Sequence, residues 1–266
     1  MLRQRILTSL VGAPLMVWMA WLGGYPFLVT TLVLSVLSMM EIRRLIVRCG
    51  HRVFPVFLEV GSVFFAVGVF FQSNLIPGFV VLFIFTGALT CVGRYPYYTF
   101  IDFCVNGMAA FYVGWGYAHF IMLRNMMEGM DGFWLFAFAL VVIWGTDTGA
   151  YFTGRFLGKH AFFPDISSKK TWEGFIGGVV ISFICVMIYL YFVPMGNKTL
   201  LIVLTPLLSM LGQAGDLFES LFKRQARVKD ASRILPGHGG ILDRFDGALW
   251  VVPILYQALA LYEKVV

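Results

Sequence analysis

Charge is what this chain has least of. Only 13% of its 266 residues are Asp, Glu, Lys or Arg, against about 25% in an ordinary soluble domain. So few charges cannot cover a water-facing surface, which excludes a soluble globular protein. Cysteine is scarce too. Cys49, Cys91, Cys104 and Cys185 stand alone, with no CxxC pair and no histidine at ligand spacing. That excludes a disulfide framework and a zinc site. Internal repeats and low-complexity tracts are missing. No convincing small-x-small cleavage site follows Arg3 and Arg5, so the apolar run behind them reads as an uncleaved first span.

What is abundant is apolar surface: 59% hydrophobic residues, 27 of them Phe, and a mean hydropathy of +0.83. These describe an all-α, polytopic integral membrane protein. About 20 apolar residues cross a bilayer, and windows of that order fall near 6–22, 25–42, 53–71, 75–92, 99–123, 132–153, 172–194, 199–221 and 246–262. About nine transmembrane helices are therefore expected. With a cytoplasmic N-terminus, the inner segments hold Arg3, Arg5, Arg43, Arg44, Arg48, Arg52, Arg94, Arg155, Lys159, Lys169, Lys170, Lys223, Arg224, Arg227, Lys229, Arg233 and Arg244. The outer segments hold only Arg124, Lys198 and Lys264. That asymmetry follows the positive-inside rule. It assigns the net charge of +6 to topology, not to nucleic acid.

Residues 1–130 read as scaffold helices or the wall of a lipid pocket. Their few polar residues have bland expectations: Glu41 in a local ion pair beside Arg43 and Arg44, Asp102 at an interface, His51 and His119 structural. Residues 131–266 read as the catalytic region, with cytoplasmic loops at 154–171 and 222–245. Ionisable groups within or beside membrane segments mark function by default, and three clusters of them occur here.

The first is WGTDTGAYFTGRFLGKH, residues 144–160, where Asp147 lies among Gly145, Thr146, Thr148 and Gly149. Small neighbours admit a second helix or a ligand, so Asp147 is either an interhelical partner or support for a site. The GxxxGKH run is not a phosphate-binding P-loop, being one residue short and having His in place of Ser or Thr. The second is SSKKTWEG, residues 167–174, where Lys169 and Lys170 precede an apolar helix. It is either an anion site at a helix start or a positive flank with Thr171 and Glu173 as caps.

The third begins inside the eighth window. At 100° per residue, Ser209, Asp216, Ser220, Lys223 and Arg227 fall on one stripe, with Glu219 at its margin. The loop adds Lys229, Asp230, Arg233 and His238, then GHGG and Asp243, Arg244 and Asp246. Asp243 and Asp246 share a face if that segment is helical. Carboxylates from separate positions suit Mg2+, which takes one or two of them plus substrate phosphates. Lysines and arginines around them suit the remaining phosphate oxygens. Gly237, Gly239 and Gly240 let backbone approach a polyphosphate.

From Ser220 to Asp246, SLFKRQARVKDASRILPGHGGILDRFD resembles the signature of the CDP-diacylglycerol synthases, the phosphatidate cytidylyltransferase family. The family pattern is S-x-F-K-R, four residues, K-D, a short spacer, then L-P-x-H-G-G-I-x-D-R-F-D, and every fixed position is matched. DTGAYFTGRFLGK, KKTWEG and GDLFESLFKR are of the family's type as well. One position departs: Ser168 stands where the family usually has Pro before the two lysines, which removes a ring that would rigidify the turn.

The resemblance implies transfer of the cytidylyl group of CTP to phosphatidate, giving CDP-diacylglycerol and pyrophosphate, with magnesium required. It also implies a homodimer in the bacterial inner membrane or its equivalent, with the site facing the cytoplasm. The expected metal ligands are Asp216, Asp243 and Asp246, with Glu219 and Ser220 as further candidates and room for a second cation, monovalent or divalent. Lys223, Arg224, Lys229 and Arg244 are expected on the triphosphate, and Lys169 and Lys170 on the lipid phosphate or the same triphosphate. His238, Gly239 and Gly240 would position phosphate, and Asp147 would orient a ligand. Two rivals stay open: a CTP-dependent transferase acting on another lipid phosphate or a polyprenol, and an ion-coupled carrier. The D-x2-D-G-x2-A-R run of CDP-alcohol phosphotransferases is missing.

Overall fold

The computed structural model describes residues 2–54, 56–232 and 239–265. The chain is helical nearly throughout: α1 Leu2–Leu22, α2 Gly24–Arg48, α3 Phe57–Phe70, α4 Ile76–Gly93 and α5 Phe100–Ala109 come first. A π-helical turn, Ala110–Trp115, joins α5 to α6, Gly116–Arg124. Then come α7 Gly129–Leu157, a hairpin of β1 Ala161–Phe163 and β2 Ser167–Thr171, α8 Trp172–Phe192, α9 Lys198–Gln225, α10 Leu242–Phe245 and α11 Ala248–Val265. The all-α membrane class is borne out. Among the described residues, five helices are long and apolar enough to cross a bilayer: α2, α4, α7, α8 and α9.

By backbone proximity the chain divides into two compact units that do not follow sequence order. One is Met1–Met122 with Gln225–Arg244; the other is Leu123–Arg224 with Phe245–Val266.

In the first unit, Phe27, Met39, Leu45, Ile46, Leu58, Phe65, Tyr117 and Phe120 are buried. Stacked pairs Phe57–Phe83 and Phe64–Phe79 join α3 to α4. Gly114 lets the π turn press on α3, since a Cβ there would lie 2.9 Å from Ser62 Cα. Polar side chains fasten the link after α2. Asp102 Oδ1 accepts from Arg52 N at 2.8 Å, and its Oδ2 completes a capping box with Thr99. Asn106 accepts from Phe54 N and donates to Arg52 O. His119 is buried and bonded to Trp115 O, a structural histidine as expected.

In the second unit, α7 and α8 lie against each other through small residues. A Cβ on Gly149 would meet Ile181 Cβ at 2.6 Å, and one on Gly145 would meet Ser182 Cα at 3.0 Å. The small residues around Asp147 thus admit a helix. Thr146 Oγ1 donates to Ser209 Oγ at 2.7 Å, tying α7 to α9. The Gln213 side chain donates to Phe175 O, tying α9 to α8.

Candidate active site

The hairpin differs from the flank expected at SSKKTWEG. Residues 167–171 form a strand, with Phe163 opposite Ser167 and Ala161 opposite Thr171. Ser168 therefore sits in a strand. Within β2, Lys169 is exposed and Lys170 half-buried. Lys170 Nζ reaches Asp216 Oδ2 on α9 at 2.7 Å. Thr171 caps α8 by accepting from Gly174 N, as expected. Glu173 ties the end of α7 to the same place, accepting from the backbone N–H groups of Lys159 and His160.

Helix α9 carries the polar stripe. Ser220 Oγ lies 3.4 Å from Asp216 Oδ1, and Lys223 Nζ lies 2.8 Å from Glu219 Oε2. Glu219 and Lys223 are buried, with side chains 2% and 11% exposed. That burial marks an ion pair held away from bulk water. The helix ends at Gln225, so Arg227, at φ 54°, lies beyond the stripe it was expected to continue. Arg224 Nε donates to Ile166 O in the hairpin turn.

Two glycines bring α11 close to α9. A Cβ on Gly215 would lie 2.6 Å from Asp246 O and 2.7 Å from Trp250 Cδ1. One on Gly247 would lie 3.1 Å from Gly212 O. This approach puts Asp246 within electrostatic range of Asp216, Glu219 and Asp147. Lys170 and Lys223 are paired to Asp216 and Glu219, two of the three acids whose charge acts on Asp246. Like charges at such range repel unless a cation is shared. Asp147 is exposed on α7.

The other signature residues belong to the first unit. Asp243 Oδ2 accepts from Gly240 N at 2.7 Å and Ala231 N at 3.0 Å. Gly239, at φ +83°, adopts a backbone that favours glycine. Helix α10 stops at Phe245, so Asp243 is helical while Asp246 lies in the turn that follows. Lys229 and Arg244 are exposed. His238, with Arg233 and Gly237, lies outside the described residues.

Sequence reasoning misjudged Glu41. It makes no ion pair with Arg43, which instead meets Glu59 at 3.1 Å. Glu41 is fully buried and accepts from Ser232 Oγ, Ile241 N and Leu242 N. The available signal was its setting, with Leu37 and Leu45 a turn away on either side. A carboxylate so placed needs partners from outside its own helix.

A family model described as the cytidylyltransferase family matches residues 3–262. The chain belongs to that family. Among cytidylyltransferase relatives, the phosphatidate cytidylyltransferase of Bacillus subtilis (strain 168) is 36% identical over 271 aligned positions, 98% of this chain and 99% of that protein. The phosphatidate cytidylyltransferase of Staphylococcus haemolyticus (strain JCSC1435) is 49% identical over 161 residues, 59% of each chain. That of Staphylococcus aureus (strain COL) is 47% identical over the same length and share.

Proposed function

We propose that this chain is a phosphatidate cytidylyltransferase, a nucleotidyltransferase that converts CTP and phosphatidate into CDP-diacylglycerol and pyrophosphate. The supporting observation is the carboxylate group of Asp216, Glu219, Asp246 and Asp147, with Lys170 and Lys223 paired into it. Lys223 and Asp246 of this group belong to the signature segment from Ser220 to Asp246. A phosphate oxygen of phosphatidate attacks the α-phosphorus of CTP in line, and the bond to the pyrophosphate oxygen breaks. A phosphate nucleophile needs no dedicated base. The obstacle is bringing several anions together, so positioning and charge neutralisation carry the rate.

The residues fit a hard divalent cation. The ammonium of Lys170 already stands at Asp216 as a cation would, 2.7 Å away. Among the described residues no three Asp, Glu, His or Cys side chains enclose an ion by themselves. Mg2+ would take the rest of its shell from substrate phosphates and water. Asp216 and Asp246, with Glu219, would hold it. It would supply charge neutralisation on the phosphates. The ligand role of Asp243 rests on the signature alone, as do the triphosphate roles of Lys229 and Arg244. Lys169, exposed on the hairpin, is suited to an arriving phosphate, and Lys170 can exchange Asp216 for one. By the same reading the site faces the cytoplasm of the inner membrane, where CTP is found, and the enzyme works as a homodimer.

Purified protein incubated with labelled CTP, Mg2+ and a panel of lipid phosphates tests this. CDP-diacylglycerol and pyrophosphate in equal amounts are expected with phosphatidate. Turnover with polyprenyl phosphate instead would overturn the lipid assignment. Ion flux in sealed vesicles with no nucleotide product would overturn the enzyme.

A further inference from the structure

Glu41 belongs to the half of the chain that reads as scaffold, yet all its described partners come from the signature segment. Its Oε1 accepts from Ser232 Oγ at 2.5 Å and Ile241 N at 2.9 Å; its Oε2 accepts from Leu242 N at 2.7 Å. Those donors lie 191 to 201 positions away in sequence. The side chain is fully buried beside Met39, Ile42 and Leu45, which are buried as well. A carboxylate there is tolerable only because several donors replace its water.

The segment is shaped to meet it. A Cβ on Gly240 would fall 2.5 Å from Glu41 Oε2 and 2.7 Å from both Cδ and Oε1. Only glycine lets the backbone touch this carboxylate. The amides of Ile241 and Leu242, at the start of α10, have no helical acceptor of their own. Glu41 fills that need. Its contacts also span the segment: Ser232 precedes residues 233–238, and Gly240 to Leu242 follow them. Asp243 Oδ2 bridges the same two sides through Ala231 N and Gly240 N.

We propose that Glu41 is a positioning residue for cytidylyl transfer, holding the Ser232 and Gly240–Leu242 ends of the signature loop so that Asp243 and Arg244 are presented in one geometry. This rests on the reading of Asp243 as part of the reaction machinery. The carboxylate itself touches no substrate. It acts through backbone that glycine alone allows to approach.

The test compares Glu41→Gln, Gly240→Ala, the double variant and Asp243→Asn in the purified full chain. The Gln variant keeps the volume but turns an amide NH2 toward backbone donors. Per folded molecule, kcat should fall at least about tenfold, a barrier increase near 1.4 kcal/mol. The Mg2+ concentration for half-maximal rate should rise, while KM for phosphatidate changes less. Gly240→Ala should reproduce this pattern, and the double variant should be no worse than the poorer single, the sign of one shared contact. Hydrogen exchange should quicken at the amides of Ile241 and Leu242 and stay slow along α2. Normal kcat and Mg2+ dependence in Glu41→Gln would overturn the proposal. So would losses that multiply in the double variant. If Glu41→Gln yields too little folded protein, Ser232→Ala and Gly240→Ala carry the exchange and Mg2+ readouts, and no shift in either sinks it. Loss of turnover in Asp243→Asn with normal Glu41→Gln removes Glu41 alone. Full turnover in Asp243→Asn removes the underlying site reading and Glu41 with it.

Discussion

The two compact units use carboxylates in opposite ways. In the first, Glu41 and Asp102 accept from backbone N–H groups. In the second, Asp216 and Glu219 are met by Lys170 and Lys223, and their charges, with that of Asp147, act on Asp246. A carboxylate that satisfies amides fastens a fold, because each bond replaces water for both partners. Carboxylates that face one another oppose folding and persist where a cation or a phosphate-bound metal uses them.

Exchanging charge for amide in the second unit should have the largest effect. Asp216→Asn and Asp246→Asn are expected to lower kcat by about a thousandfold or more, roughly 4 kcal/mol, with thermal unfolding unchanged or raised. Activity assays beside a melting curve check this, and a normal rate in either variant would erase the distinction. Removing divalent ions with a chelator should stop turnover, and Mg2+ should restore it where K+ alone does not. Next comes Lys170→Ala, which leaves the hairpin intact and should cost about 10- to 100-fold in kcat/KM, on the scale of one lost electrostatic partner. Gly215→Ala presses a methyl on Asp246 O and Trp250. It should cost about 1–3 kcal/mol of stability and lower turnover together, seen as a reduced Tm and rate. Smallest for catalysis is Asn106→Ala in the first unit, which should lose about 1–3 kcal/mol yet keep kcat per folded molecule.

Much of the fold was legible because apolar length is a local property. Every hydrophobic window coincides with a helix or a continuous run of helices. The stripe from Asp216 to Lys223 was readable for the same reason, since spacing on a helix fixes which side chains share a face. The hairpin was not, because SSKKT is a strand only when Ala161–Phe163 pairs with it. Nor was the separation of Asp243 from Asp246. Three positions apart, they would share a helical face, but α10 ends between them.

Glu41 shows where local reading stops. Arg43 and Arg44 are its neighbours in sequence, and a surface ion pair was the simplest expectation. Its actual donors lie nearly 200 positions later, and no periodicity connects the two. The order of residues determined the membrane class, the helices, the chemistry of the signature and the family. Folding decided which acid meets a lysine, which meets an amide and which glycine must yield room. Those outcomes depend on distances between segments remote in the chain, and buried polar groups find their partners only when the packed helices bring them together.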